Sequence, residues 1–267
     1  MMAEQLGWLQ AQYRADRFVP APPRDGHNVG DGDFKAIGAE FLGHFVSLGG
    51  LMPEHSVLDI GCGLGRMALP LTRYLEARGL EGGRYLGFDI GAEAVAWCRK
   101  TITPAYPNFT FVHLDGANDV YNPRGRIEPS RLTFPCQNGT IDFTILTSVF
   151  THLRLEAAAH YLRELARVLA PGGRVFATFF LMGDIRREAL RRGGQRIAFD
   201  PETPGPEFLA DPDQPAAAIG FSQSWLLATA EAAGLAPILP IHYGQWCGGK
   251  GLSFQDIVIF EKKGPLE

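Results

Sequence analysis

From Phe34 to Leu48 apolar residues recur at helical spacing (Phe34, Ile37, Phe41, Leu42, Phe45, Leu48), and Gly49-Gly50 stop the run. Beyond that point the pattern changes. Short, nearly continuous apolar runs alternate with amphipathic stretches: "SVLDI" (56–60), "RYLGFDI" (84–90), "FTFVHL" (109–114), "TIDFTILTSV" (140–149) and "RVFATFFL" (174–181). Each reads as a strand buried on both faces. The intervening stretches 64–78, 92–101 and 155–169 read as helices, the second ended by Pro104 and the third by Pro171-Gly172-Gly173. Such alternation predicts an α/β fold, a parallel sheet with helices on both sides.

Two segments break the rhythm. Residues 1–33 have a short helical start and then "PAPPRDGHNVGDGD", rich in Pro, Gly and Asp, which reads as a covering loop. Residues 184–220 contain "DPETPGPEFLADPDQP", with five of the chain's prolines, and read as a lid insertion on the sheet's ligand edge. A helix (222–233), a strand (235–241), the loop "HYGQWCGGKG" and the strand "SFQDIVIFEK" (253–262) follow. Two strands joined without a helix do not pair easily in parallel, so the last is expected to run antiparallel. The expected organisation is a cover over 1–33 and one α/β domain over 34–267.

The first strand runs into "VLDIGCGLG" (57–65), an acid followed by a turn in which three of five residues are glycine. A strand, a Gly-rich turn and a helix start suit an anion or an adenosine-bearing ligand. The dinucleotide fingerprint would need glycine at 66 if counted from Gly61, and Arg66 stands there. Asp59, two residues before the first glycine, would repel a pyrophosphate and suits an ammonium or sulfonium charge. Asp89, 24 residues after Gly65, ends the second strand and can accept from both hydroxyls of a ribose, as in NAD sites. Asp115 ends the third strand and can accept from an adenine amino group. Helix capping explains any one of these acids; three in step with Gly-x-Gly-x-Gly favour a ligand.

The stretch 33–262 resembles the class I S-adenosylmethionine-dependent methyltransferases, through "VLDIGCGLGR", "YLGFDI", "FVHLDG", "GTIDFTILTSVFTHL" and "LRELARVLAPGGRVFATFF". The resemblance implies a Rossmann-like, doubly wound sheet of seven strands in order 3-2-1-4-5-7-6, strand 7 antiparallel. It implies that Asp59 and the backbone of Gly61 and Gly63 hold the methionine part, Asp89 the ribose and Asp115 the adenine. Thr147 and Ser148 would border the methionine and the methyl, and Cys62, Gly65, Arg66, Ile90 and Gly116 complete the cofactor-binding set. The expected cofactor is S-adenosylmethionine, leaving as S-adenosylhomocysteine. Bacterial small-molecule methyltransferases with "SVFTHL" after strand 4 are the nearest look-alikes.

Methyl transfer from a sulfonium is an in-line displacement, so positioning and water exclusion can suffice; a base is needed only for a poor nucleophile such as an alcohol. His152, in "SVFTHL", is the candidate base, with a packing histidine as the alternative. Tyr121 and Asn122, in "NDVYNPRG", and His242, Tyr243 and Trp246, before the last strand, are candidate acceptor contacts or else turn and packing residues. His27, Asp31 and Asp33 sit in the N-terminal loop, Asp33 favoured as a helix cap. Cys62 has no recognisable base beside it and is not expected to be a nucleophile. No cluster has metal-ligand spacing.

Composition narrows the partners. The 267 residues are 46% hydrophobic and 20% charged, with net charge −4 and pI about 6.0, so no global basic field points to nucleic acid or an anionic membrane. The arginines near 186–196 read as a solvated face. Four cysteines without a CxxC pair suit a reduced, cytoplasmic chain; no secretory signal and no run of 18 apolar residues is expected. The expected activity is methyl transfer to a small molecule at a hydroxyl oxygen, sugar or natural-product-like. The alternatives are N-methylation and a non-catalytic cofactor-binding module. NAD-dependent oxidoreduction is disfavoured by Asp59 and Arg66, and aminopropyl transfer stays open. The acceptor pocket falls to 1–33, 184–220 and 242–252, where neither acceptor identity nor oligomeric state is legible.

Overall fold

The structure, a computed structural model, describes residues 2–15, 22, 32–75, 83–193 and 195–264. His27 and Asp31 lie outside the described residues, as does most of the expected covering loop. Two compact units form, one of Met1–Leu114 with Ile141–Phe143, the other of Asp115–Thr140 with Thr144–Glu267.

In the first unit the elements are α1 (Met2–Ala15), α2 (Phe34–Ser47), β1 (Ser56–Ile60), α3 (Ala68–Leu71), β2 (Arg84–Asp89), α4 (Ala92–Thr101) and β3 (Phe109–His113), and β4 (Ile141–Leu146) begins here. Helix α2 starts where Asp33 caps it, the Ala36 N–H donating to the carboxylate at 2.6 Å. Its buried face puts Phe45 edge-on to Phe143, ring centroids 6.1 Å apart. Strand β2 pairs in parallel with β1 (Arg84 opposite Ser56) and with β3 (Tyr85 opposite Phe109), and the Tyr85 and Phe109 rings stack at 4.8 Å. Burying rings such as these contributes about 1.5–3 kcal/mol each.

Within residues 64–75, the described part of the helix expected over 64–78, only the four residues of α3 are helical, with turns around them. Pro70 lies inside that stretch; it has no N–H to donate and its ring crowds the preceding turn.

In the second unit follow α5 (Leu155–Val168), β5 (Leu169–Phe179), β6 (Leu181–Met182), α6 (Asp184–Arg192), β7 (Glu207–Leu209), β8 (Ile219–Ser222), α7 (Gln223–Ala232), β9 (Leu235–His242) and β10 (Asp256–Lys262). Strand β5 starts at Leu169, before Pro171-Gly172-Gly173, with Gly172 at φ +76°, a left-handed conformation that glycine accommodates. Strand β10 runs antiparallel to β5, Asp256 opposite Phe179, and antiparallel to β9. The seven-stranded sheet has the order β3-β2-β1-β4-β5-β10-β9, which is 3-2-1-4-5-7-6 once its strands are counted along the chain, with the seventh antiparallel. This is the Rossmann-like order the resemblance implied.

Residues 184–220 fold into α6, β7 and a short helical turn at Pro215–Ala217, and β8 pairs with β6 and β7 in a separate three-stranded sheet. The arginines there are not a bare solvated face. Arg187 lies 4.8 Å from the Phe208 ring and donates to the carbonyls of Pro201 and Thr203, and Arg191 pairs with Glu202. Among the described residues no helix is long and apolar enough to cross a membrane.

Candidate active site

In the first unit β1 delivers Asp59 into the core, and its carboxylate is 1% exposed. The Tyr85 hydroxyl donates to Asp59 Oδ2 at 2.5 Å, while Oδ1 accepts nothing from the described residues. Burial pushes the Asp59 carboxyl up to about 7; the Tyr85 hydrogen bond opposes the rise, the Asp89 charge adds to it and Arg66 opposes it.

The turn after β1 needs its glycines. Gly61, Gly63 and Gly65 have φ of +73°, +50° and +76°, a region L side chains disfavour. The N–H groups of Gly61 and Cys62 both donate to the Phe88 carbonyl, at 2.8 and 3.1 Å. Asp89 ties the two strand ends together: Gly63 N–H donates to Oδ2 and Gly91 N–H to Oδ1, each at 2.7 Å. Burial raises the Asp89 carboxyl, and these N–H groups, with that of Ile90, lower it. Asp59, Gly61, Cys62, Gly63, Asp89 and Ile90 are thus one assembly around the turn, and Gly65 packs its bare Cα toward Ile102 and Cys98. The Cys62 thiol is buried and pushed well above its ordinary value, first by burial and then by Asp59 and Asp89. A thiol held this way is not nucleophilic.

In the second unit Asp115 receives the Arg126 guanidinium, and Asn122 Nδ2 donates to the Gly116 carbonyl at 2.9 Å. The loop closes on itself, with the N–H groups of Arg126 and Ile127 donating to the Asp115 carbonyl at 3.0 and 2.9 Å. Tyr121, on this loop, meets His152 with rings edge-on at 5.2 Å and its hydroxyl 3.5 Å from Nε2. His152 Nδ1 lies 2.7 Å from the Ala216 carbonyl. A carbonyl only accepts, so Nδ1 carries the proton and Nε2 keeps its lone pair. Burial lowers the His152 pKa, opposed by the Ala216 bond, so the ring is neutral at pH 7.

Ser148, two residues past β4 and next to half-buried Thr147, has φ +58°. Its N–H donates to Thr178 Oγ1 at 2.8 Å and its hydroxyl to Gln255 Oε1 at 3.0 Å.

The candidates before the last strand separate. His242 ends β9 opposite Ile257. Tyr243 is exposed and donates to Gln223 Oε1 at 2.7 Å. Trp246 takes the packing alternative: it is 1% exposed among Phe180, Phe199 and Cys247, its indole N–H donating to Asp256 Oδ2 at 2.8 Å.

Sequence reading passed over Tyr85, Thr178, Gln255 and Asp256, and it took Arg186, which pairs with Asp256, for part of a solvated face. Only Asp256 left a trace, a charge opening an apolar strand. Among the described residues no group of three His, Cys, Asp or Glu is placed to hold a metal.

Residues 57–173 match the family model described as a methyltransferase domain. Among solved structures the fold is similar to a Pyrococcus horikoshii protein (15% identity, 95% of this chain and 99% of that one, TM-score 0.55). It is similar also to the magnesium protoporphyrin IX methyltransferase of Synechocystis, solved with bound S-adenosylhomocysteine (17%, 88% and 90%, 0.53). A third is the 1,6-didemethyltoxoflavin N1-methyltransferase of Burkholderia thailandensis, with its substrate and S-adenosylhomocysteine (16%, 98% and 89%, 0.54). The domain match over residues 57–173 and the strand order of the sheet agree with the methyltransferase resemblance carried by the sequence motifs.

Proposed function

We propose that this protein transfers the methyl group of S-adenosylmethionine to a hydroxyl oxygen of a small molecule. The donor set fits that cofactor. A buried carboxylate at Asp59 has one oxygen that accepts from none of the described residues, which suits a cationic ligand and disfavours a pyrophosphate. In this reading Asp59 and the turn of Gly61, Cys62, Gly63, Gly65 and Arg66 take the methionine part, Asp89 and Ile90 the ribose, and Asp115 and Gly116 the adenine. The same reading assigns Thr147 and Ser148 to the methyl-bordering side and residues 184–220 to a lid. The cofactor supplies a methyl carbon already activated by its positive sulfur.

The observation that carries the oxygen preference is the state of His152. Its Nδ1–H is committed to the Ala216 carbonyl, which leaves Nε2, 3.5 Å from the Tyr121 hydroxyl, as the basic nitrogen; a neutral imidazole can take the proton of an acceptor hydroxyl that replaces the phenol there as the oxygen attacks. Tyr121, against the same ring, and Asn122 are the acceptor-side contacts of this reading. Exposed Tyr243 and half-buried His242 are further acceptor contacts of this reading.

Calorimetry with S-adenosylmethionine, S-adenosylhomocysteine and NAD tests the cofactor; binding of NAD alone would sink the reading. Methyl-tritiated cofactor with hydroxyl- and amine-bearing small molecules then tests the acceptor. Label on nitrogen only would replace the oxygen assignment. Cofactor binding with no transfer to any compound would support a binding module instead.

A further inference from the structure

The Ser148–Thr178–Gln255 cluster fixes the direction of one carboxamide. Thr178, 1% exposed, accepts the Ser148 N–H at its hydroxyl oxygen, so its own proton must go elsewhere. The atom 2.5 Å away on Gln255 therefore has to be an acceptor, the carbonyl oxygen, since an amide nitrogen there would leave a buried hydroxyl proton without a partner. The Ser148 hydroxyl donates to that same oxygen at 3.0 Å. With both neighbours spent on Oε1, the NH2 of Gln255 is turned away from the cluster. Half-buried Gln255 donates from Nε2 to none of the described residues, and that nitrogen is not sealed from solvent.

Position gives the donor a use. Asp256 pairs with Phe179, the last residue of β5, so Gln255 stands just past the carboxyl end of β5, as Ser148 stands just past that of β4. In open α/β sheets that edge is where ligands bind. Ser148 is held in a left-handed backbone conformation by bonds into the same cluster, which makes the amide rigid and preset in direction.

We propose that Gln255 is a specificity-determining residue of the methyl acceptor site, donating from its amide NH2 to a carbonyl or carboxylate oxygen that the acceptor carries beside the methylated hydroxyl. This rests on the methyl-transfer reading above and names a feature of its substrate. A site built around a fixed donor discriminates against an analogue lacking the matching oxygen, because the donor is then left unpaired.

The test uses the full chain and Gln255→Glu, which keeps an oxygen for Ser148 and Thr178 while replacing the outward donor by an acceptor. Methyl-tritium transfer is measured on salicylate and 2-hydroxyacetophenone, each against phenol. S-Adenosylhomocysteine affinity and melting temperature are measured alongside, and Gln255→Asn, which withdraws the amide by one methylene, serves as a second variant. Wild type is expected to favour the oxygen-bearing compounds by about tenfold in kcat/KM, the ratio one hydrogen bond gives. Both variants are expected to lose that preference with cofactor-product affinity unchanged. A preference that survives in both overturns the assignment. So does an affinity for S-adenosylhomocysteine that falls in step with transfer, because the donor then serves the cofactor. Product binding without label on any compound, phenol included, removes the oxygen-acceptor reading, and the assignment with it.

Discussion

Tyr85 donates its hydroxyl to Asp59 Oδ2 at 2.5 Å in a place closed to solvent, while Oδ1 accepts from none of the described residues. An acid whose folded pKa is raised from 3.8 to about 7 binds a proton more readily folded than unfolded. Its favourable contribution is complete below pH 3.8 and is lost as the pH rises through 7. Asp59→Asn keeps an oxygen for Tyr85 and removes the titration. At pH 8 the variant is expected to melt above wild type, by up to the order of 4 kcal/mol in stability, and the difference is expected to shrink toward pH 4. S-Adenosylmethionine should bind it more weakly at pH 8, the ammonium having lost its counter-charge. Scanning fluorimetry across pH 4–8.5 and calorimetry at pH 8 check both arms; equal melting at every pH would show that Asp59 does not titrate with folding.

Asp89 holds the turn together, a task that left no trace in the sequence. It was expected to face the ribose, yet its oxygens already hold the N–H groups of Gly63 and Gly91. Asp89→Ala frees both, at about 1–3 kcal/mol each where they stay buried. The variant is expected to lose at least tenfold in S-adenosylhomocysteine affinity and several degrees in melting temperature. Loss of affinity alone would mean that the turn keeps its shape without the carboxylate.

The neutral state of His152 sets a pH profile. Its pKa lies below the ordinary 6.5, so transfer to a hydroxyl acceptor is expected to be flat from pH 7 to 8.5 and to fall only at acid pH, as Nε2 takes up a proton. His152→Asn can still donate to the Ala216 carbonyl but has no basic nitrogen. Turnover is expected to drop about a hundredfold with product affinity unchanged. Steady-state rates against pH check this; near-normal turnover leaves His152 a packing residue.

What the sequence showed and what it hid have separate physical causes. The strands and the turn were legible because buried strands are written as unbroken apolar runs, and a turn with three positive φ values demands glycine; the strand order came with the resemblance that those motifs carry. The end of α3 misled because amphipathic spacing continued past Pro70. The roles of Tyr85, Thr178 and Gln255 were hidden because hydrogen bonds between residues 26 to 107 positions apart leave no local pattern. Trp246 and Tyr243 looked alike as loop aromatics, and only burial separates them.

Asp256 is the clearest of the hidden residues, and the largest stability effect is expected there. Its side chain is fully buried and accepts from Leu181 N–H and Gly244 N–H, both at 2.7 Å, from Trp246 Nε1 at 2.8 Å and from Arg186 Nη2 at 3.2 Å. Arg186, 12% exposed, also lies 5.5 Å from the Trp246 ring. One carboxylate thus joins β6, the start of α6, the loop after β9 and β10. Asp256→Ala leaves the guanidinium with the Gly244 carbonyl but no counter-charge, and three N–H donors without their acceptor, which costs about 3–5 kcal/mol, or roughly 10 °C in melting temperature for a chain of this size. Arg186→Met in the Asp256→Ala background removes the stranded charge, and it is expected to recover part of the loss. Thermal unfolding of the two single variants and the double variant measures the coupling. Additive losses would mean that the charge pair is immaterial and that Asp256 acts through its backbone donors alone.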